Sequence, residues 1–165
     1  MLDPAGRTLL ALGLALVLPN STAAGLLGAA RAADCAGPGE ALKTGSVIRG
    51  VIGNLKEKGE RTIRTESEWK ELWGKLGLPL NPPVPAPAID FSKNMVFAVS
   101  AGEGRGIVEV EIIKVERKAG CILVTVAERL VPPKMSAVQF TSFHPFHFVR
   151  VGTTPGTVVF RYVKR

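Results

Sequence analysis

Two histidines stand three residues apart near the C-terminus, His144 and His147, and they are the chain's only imidazoles. On a helix, that spacing would put both rings near one face and seed a metal site. The residues around them, Phe146, His147, Phe148 and Val149, alternate as a strand does, and on a strand an offset of three places side chains on opposite faces. No further histidine and no cysteine at ligand spacing joins them, so neither a metal site nor a cofactor site is expected. Ser142, His144 and a carboxylate could spell a hydrolase triad on paper. No glycine-flanked serine of the nucleophile-elbow type accompanies them. Cys121, between Gly120 and Ile122 at the start of a strand, reads as buried and inert rather than as a reactive thiolate. The expectation is a chain without catalytic machinery, and a small hydrolase is the weakest of the functional readings.

The segment Gly102, Glu103, Gly104, Arg105 and Gly106 has the glycine density of a phosphate cradle. Such cradles need a helix after the glycines, so that amides and helix dipole converge on the anion. Here a strand follows. The five residues therefore read as an exposed, adaptable loop and as the expected partner-binding loop, because binding residues concentrate on loops held by rigid sheets. A basic set, Arg49, Lys56, Lys58, Arg61 and Arg64, is interleaved with Glu57, Glu60 and Glu66, the pattern of a mixed solvated surface. The whole chain of 165 residues nevertheless carries a formal charge of +7. That balance favours anionic polymers, membrane surfaces or acidic proteins as partners. Nucleic acid is not expected, since no recognition motif or stacking platform accompanies the charge.

The N-terminus explains where such partners would be met. Arg7 precedes an apolar run over residues 8–18, and small residues then lead to Ala30, Arg31 and Ala32, the pattern of a secretory leader with an Ala-x-Ala cleavage site. The run is about 11 residues, short of the roughly 20 that span a bilayer. Residues 1–32 are thus expected to be a signal peptide, 33–45 a flexible N-terminal arm and 46–165 a single β-rich domain, periplasmic or extracellular. About 130 residues remain after cleavage, enough for one real core. In an oxidising compartment Cys35 and Cys121 can pair as a disulfide, although Cys121 could equally pack as a small hydrophobe. Lipidation of Cys35 is disfavoured by Asp34, which stands where such signals take a small neutral residue.

The elements that must position these groups are mostly strands. Residues 46–54 are β-rich but interrupted by Gly50 and Gly53, which predicts a strand with a bend or bulge. Residues 56–61 read as a charged turn around Gly59, with a short strand over 62–64. A helix follows, opened by a capping box between Thr65 and Glu68 and closed by Gly77 and Pro79. Trp69, Leu72, Trp73 and Leu76 fall on one stripe, the face expected to dock on a sheet. Five prolines within residues 79–87 forbid helix and ladder pairing and predict a semi-rigid connector. Asp90 caps a turn at Phe91 and Ser92, residues 95–100 form a continuous apolar central strand, and Val108, Val110 and Ile112 alternate with Glu109 and Glu111. The phase breaks at Ile112 and Ile113, which predicts a bulge. A hairpin through residues 117–120, a strand with Phe146 and Phe148, and a last strand with Val158, Phe160 and Tyr162 complete an α+β fold. It is predominantly antiparallel, a small sandwich or half-barrel with one helix packed on a sheet.

The order of these segments resembles the C-terminal domain of the PrcB family, named for a subunit of an extracellular protease complex. The likeness rests on Glu68 and Trp69 in the helix, Asp90-Phe91-Ser92-Lys93 before the buried strand, Gly102 to Gly106, and Pro145-Phe146-His147-Phe148-Val149-Arg150-Val151. Family members often carry Gly-Gly-Tyr at the glycine loop, where this chain has Gly106 and Ile107. The resemblance implies an exported, non-catalytic binding domain, an accessory, stabilising or inhibitory partner of a secreted or envelope protein such as a protease. The alternative reading is an envelope protein that holds anionic glycan or lipid.

Overall fold

The alternating segments pair into two sheets. A computed structural model describes residues 35–79, 82–104, 106–132 and 143–165. The expected leader, Arg105, Ser142 and the polar stretch before it lie outside the described residues. Eight strands and one helix are found among the rest: β1 (Glu40–Ala41), β2 (Thr44–Gly50), β3 (Lys58–Ile63), α1 (Glu66–Leu76), β4 (Asn94–Ala101), β5 (Ile107–Lys118), β6 (Cys121–Leu130), β7 (Phe146–Gly152) and β8 (Thr157–Lys164). One four-stranded sheet has the order β1-β5-β6-β8 and the other β2-β7-β4-β3. Neighbours run antiparallel except β6 and β8, which are parallel. The fold is an α+β sandwich, not a closed barrel, with the helix on the outer face of the second sheet.

Its two apolar layers follow from the sequence period. Met95, Phe97 and Val99 of β4 and Val149 and Val151 of β7 face Val110, Ile112 and Val115 of β5 and Ile122, Val124 and Val126 of β6 between the sheets. On the other face of β4 and β7, Val96, Ala98, Phe146 and Phe148 meet Trp69, Leu72 and Leu76 of the helix. Central strands covered on both faces need apolar residues at every position. The unbroken run from Met95 to Val99 therefore has its physical cause in this second layer.

The helix ends as its residues dictate. The Thr65 hydroxyl accepts from the Glu68 amide at 3.2 Å while the Glu68 carboxylate accepts from the Thr65 amide at 3.0 Å. Gly77 closes the last turn at φ 51°, a left-handed conformation that glycine takes without strain. Trp69 is fully buried, with Phe148 edge-on at 6.0 Å and Trp73 at 5.3 Å. Trp73 is only half-buried. The proline connector runs along this pair. The indole N–H of Trp73 donates to the Val84 carbonyl and that of Trp69 to the Pro87 carbonyl, both at 2.9 Å. Carbonyls of an extended proline segment have no ladder partners, so the tryptophans both cover the segment and satisfy it.

Two expectations are corrected. Residues 35–45 are not a loose arm: Cys35 is disulfide-bonded to Cys121, β1 pairs with β5, and β2 begins at Thr44. The glycine-rich composition conceals pairings that depend on distant partners. Likewise the charged stretch around Gly59 is not a turn but the body of β3, paired from Lys58 to Ile63 with β4. As an edge strand it keeps most of its side chains in water and so lacks the alternation by which a half-buried strand is recognised.

Candidate functional site

The two histidines occupy different environments. His147 of β7 turns into the interface between the sheets, where its Nδ1 accepts from the buried backbone N–H of Ile112 at 2.9 Å. That N–H is released from the β5–β6 ladder by the register shift between Ile112 and Lys114, so the bulge and the imidazole satisfy each other. With Nδ1 accepting, the proton sits on Nε2, which faces the Ser46 hydroxyl at 3.2 Å. Burial first, and then the Arg49 guanidinium, hold this ring below the ordinary histidine range, with Glu111 partly opposing them. Both ring nitrogens serve the fold. His144 sits just before β7, its backbone N–H bonded to the Val51 carbonyl and its Nδ1 to the Gly53 carbonyl. Its Nε2 lies 3.9 Å from a Glu103 carboxylate oxygen. The two rings are held by different partners, and His144 itself precedes the strand, so the period of β7 does not account for its orientation. Cys121 is bonded to Cys35, packed with Leu123 and Val159, and so presents no thiolate.

The glycine loop is anchored at its first half. Gly102 has φ 73°, and a Cβ there would lie 2.5 Å from the Lys58 backbone nitrogen. Only glycine permits that approach between the end of β4 and the start of β3. The Gly102 N–H is within 3.3 Å of the Ser100 hydroxyl, which itself donates to the Leu55 carbonyl. The Glu103 N–H donates to the Lys56 carbonyl at 2.9 Å. Of the residues expected to meet a partner, Glu103 and Gly104 are exposed, Gly106 is half-buried and Gly102 is buried, while Arg105 lies outside the described residues.

Beside this anchor opens a cleft of about 430 Å³ on the helix side of the second sheet. Its apolar wall is Leu72, Ala98 and Phe148, and its rim carries Lys56, Glu57, Arg61 and Lys75. One side is β3, the last strand of its sheet. An edge strand offers unpaired N–H and C=O groups in the plane of the sheet. The cleft lies just off that plane, where alternate side chains of an added strand would project. The sequence missed this arrangement because it needs β3 as a strand, and residues 56–61 show no alternation.

The basic set is dispersed. Arg49 bridges Glu109 at 3.4 Å and Glu111 at 3.0 Å, and Arg61 reaches Glu71 at 3.6 Å. Lys58 pairs with the nearly buried Glu128 at 2.5 Å and lies 4.2 Å above the Tyr162 ring, tying the edge of one sheet to the other. Burial, followed by the Glu60 and Glu128 carboxylates, pushes the Tyr162 hydroxyl far above its ordinary range, so it stays neutral. No group of three or more histidine, cysteine or acidic residues among the described residues is placed to hold a metal ion, and no helix there is long and apolar enough to cross a membrane.

Comparison of the chain with protein-family models, with curated proteins and with solved structures returned no match.

Proposed function

We propose that this chain is an exported, non-catalytic binding domain that takes an extended segment of another exported protein along the β3 edge. The observation that carries the reading is the coincidence of an open edge strand with a cleft of about 430 Å³ on its flank. In strand addition, main-chain hydrogen bonds supply affinity while pockets for alternate side chains supply selectivity. The β3 edge offers the first and the Leu72, Ala98 and Phe148 wall the second. Charged rim groups of both signs, Lys56 and Glu57, then favour a polar chain with one apolar anchor over a uniformly anionic polymer.

The accessory role beside a protease comes from the likeness to the PrcB-like C-terminal domain, and its exported setting from the leader-like N-terminus. Two features support a non-catalytic role: His147 has both nitrogens engaged, Nδ1 with the Ile112 N–H of the facing sheet and Nε2 with the Ser46 hydroxyl of its own sheet, and Cys121 is in a disulfide. The test is capture of partners from the organism's own envelope extract by the purified domain, read by mass spectrometry. Lys56→Glu lies on the exposed rim and should weaken capture without moving the unfolding midpoint, since exposed charges contribute little to stability. Arg105→Glu on the adjoining loop should behave alike. Capture indifferent to both changes would remove the cleft and loop from the contact. Turnover of a peptide or ester panel that vanished on replacing Ser142 or His147 would overturn the non-enzymatic reading.

A further inference from the structure

The unused nitrogen of His144 is the group the fold leaves unexplained. The residue is 8 % exposed, and its Nε2 is shielded from solvent without a hydrogen-bond partner. Buried ring nitrogens are ordinarily satisfied. Nδ1 faces the Gly53 carbonyl, which only accepts, so Nδ1 carries a proton and Nε2 is the ring nitrogen left over, directed toward the Glu103 side chain. That arrangement, one ring N–H held by a backbone carbonyl and the other nitrogen free, is how metal-binding imidazoles are oriented.

The Glu103 carboxylate stands 3.9 Å from Nε2. Both backbones are pinned, His144 through the Val51 carbonyl and Glu103 through the Lys56 carbonyl. The Glu103 side chain is half exposed. A tetrahedral ion with nitrogen and oxygen ligands at about 2.0–2.2 Å needs those two atoms roughly 3.4 Å apart. A small rotation of the Glu103 carboxylate closes the difference. We infer that His144 Nε2 and Glu103 form a two-ligand site for a divalent transition ion of the zinc class. Imidazole with one carboxylate suits zinc and its borderline neighbours better than calcium or magnesium, which take oxygen ligands. His147 takes no part, because its ring faces the sheet interface. The site stands independently of the strand-addition reading.

The test uses untagged, leader-free protein and zinc ion alone, followed by calorimetry and by nitrogen spectra of the two imidazole rings. One zinc per chain, binding below about 1 mM, with the His144 Nε2 signal moving and that of His147 fixed, is the expected result. Glu103→Gln should keep the unfolding midpoint and weaken binding by roughly tenfold or more, since even outer-shell changes at metal sites cost tenfold or more in affinity. His144→Gln should abolish the ring-linked binding. No response of the His144 ring at about 1 mM zinc, a response at His147 instead, or unchanged affinity in Glu103→Gln would each overturn the assignment.

Discussion

Replacing His147 with leucine should separate the structural worth of the imidazole from any functional one. The substitution keeps much of the volume between the sheets but removes the acceptor at 2.9 Å from the Ile112 N–H. That N–H sits at a bulge and has no ladder partner to return to. A buried donor left unsatisfied costs about 1–3 kcal/mol. For a domain of this size, 2 kcal/mol corresponds to a drop of roughly 6–10 °C in the unfolding midpoint. His147→Asn is the informative companion, because its side-chain oxygen stands near the place of Nδ1 and can accept the same N–H. It should recover a large part of the loss. The two variants also isolate the pH dependence. The folded ring resists protonation below the ordinary value of 6.5, so between that value and its lowered folded value the unfolded chain binds the extra proton. Stability from this residue is fully present above about pH 6.5 and is lost as the pH falls. Both variants should show a shallower acid loss in thermal unfolding from pH 7.5 to 5. A leucine variant as stable as the wild type, or an acid slope unchanged in both, would refute the role assigned to the ring.

Trp69→Ala should cost about 3–5 kcal/mol in chemical denaturation, as an emptied aromatic core site does, with Trp73→Ala costing clearly less because that ring is half exposed. Trp69→Phe should show a smaller loss that reports the unsatisfied Pro87 carbonyl. Reduction of the Cys35–Cys121 bond, whose partners are 86 residues apart, should lower stability by roughly 4.6 kcal/mol in the loop-entropy description, measured as the denaturant midpoint with and without reductant. Gly102→Ala should destabilise the fold by about 1–3 kcal/mol through its strained backbone and increase amide exchange in β3, since the new Cβ meets the Lys58 backbone.

What was legible in the sequence was whatever local chemistry decides. The helix from Thr65 to Gly77 could be read because its cap, stripe and terminator lie within one short segment. The bulge at Ile112 was visible as a break in alternation. Of the two histidines, the period of a strand holds only for His147, since His144 precedes β7. What was hidden depended on partners far along the chain. Nothing local in residues 58–63 announces an edge strand, because exposed polar positions look the same in a turn. Pairing of Glu40–Ala41 with β5 spans a long separation with only two residues of signal. Carbonyls at Val84 and Pro87 took their meaning only once the tryptophans lay beneath them. The cleft, similarly, is made by the helix, the 54–57 segment and β3 together, and belongs to none of them alone.

Strand addition at β3 is tested most directly by amide hydrogen exchange on the domain, free and then saturated with the exported partner recovered by capture. Protection is expected to rise at the backbone amides of Lys58 to Ile63 that point away from β4, and at amides of the 54–57 segment in the same complex. Protection confined to β8 or to the β1 and β2 edges, with β3 unchanged, would contradict it.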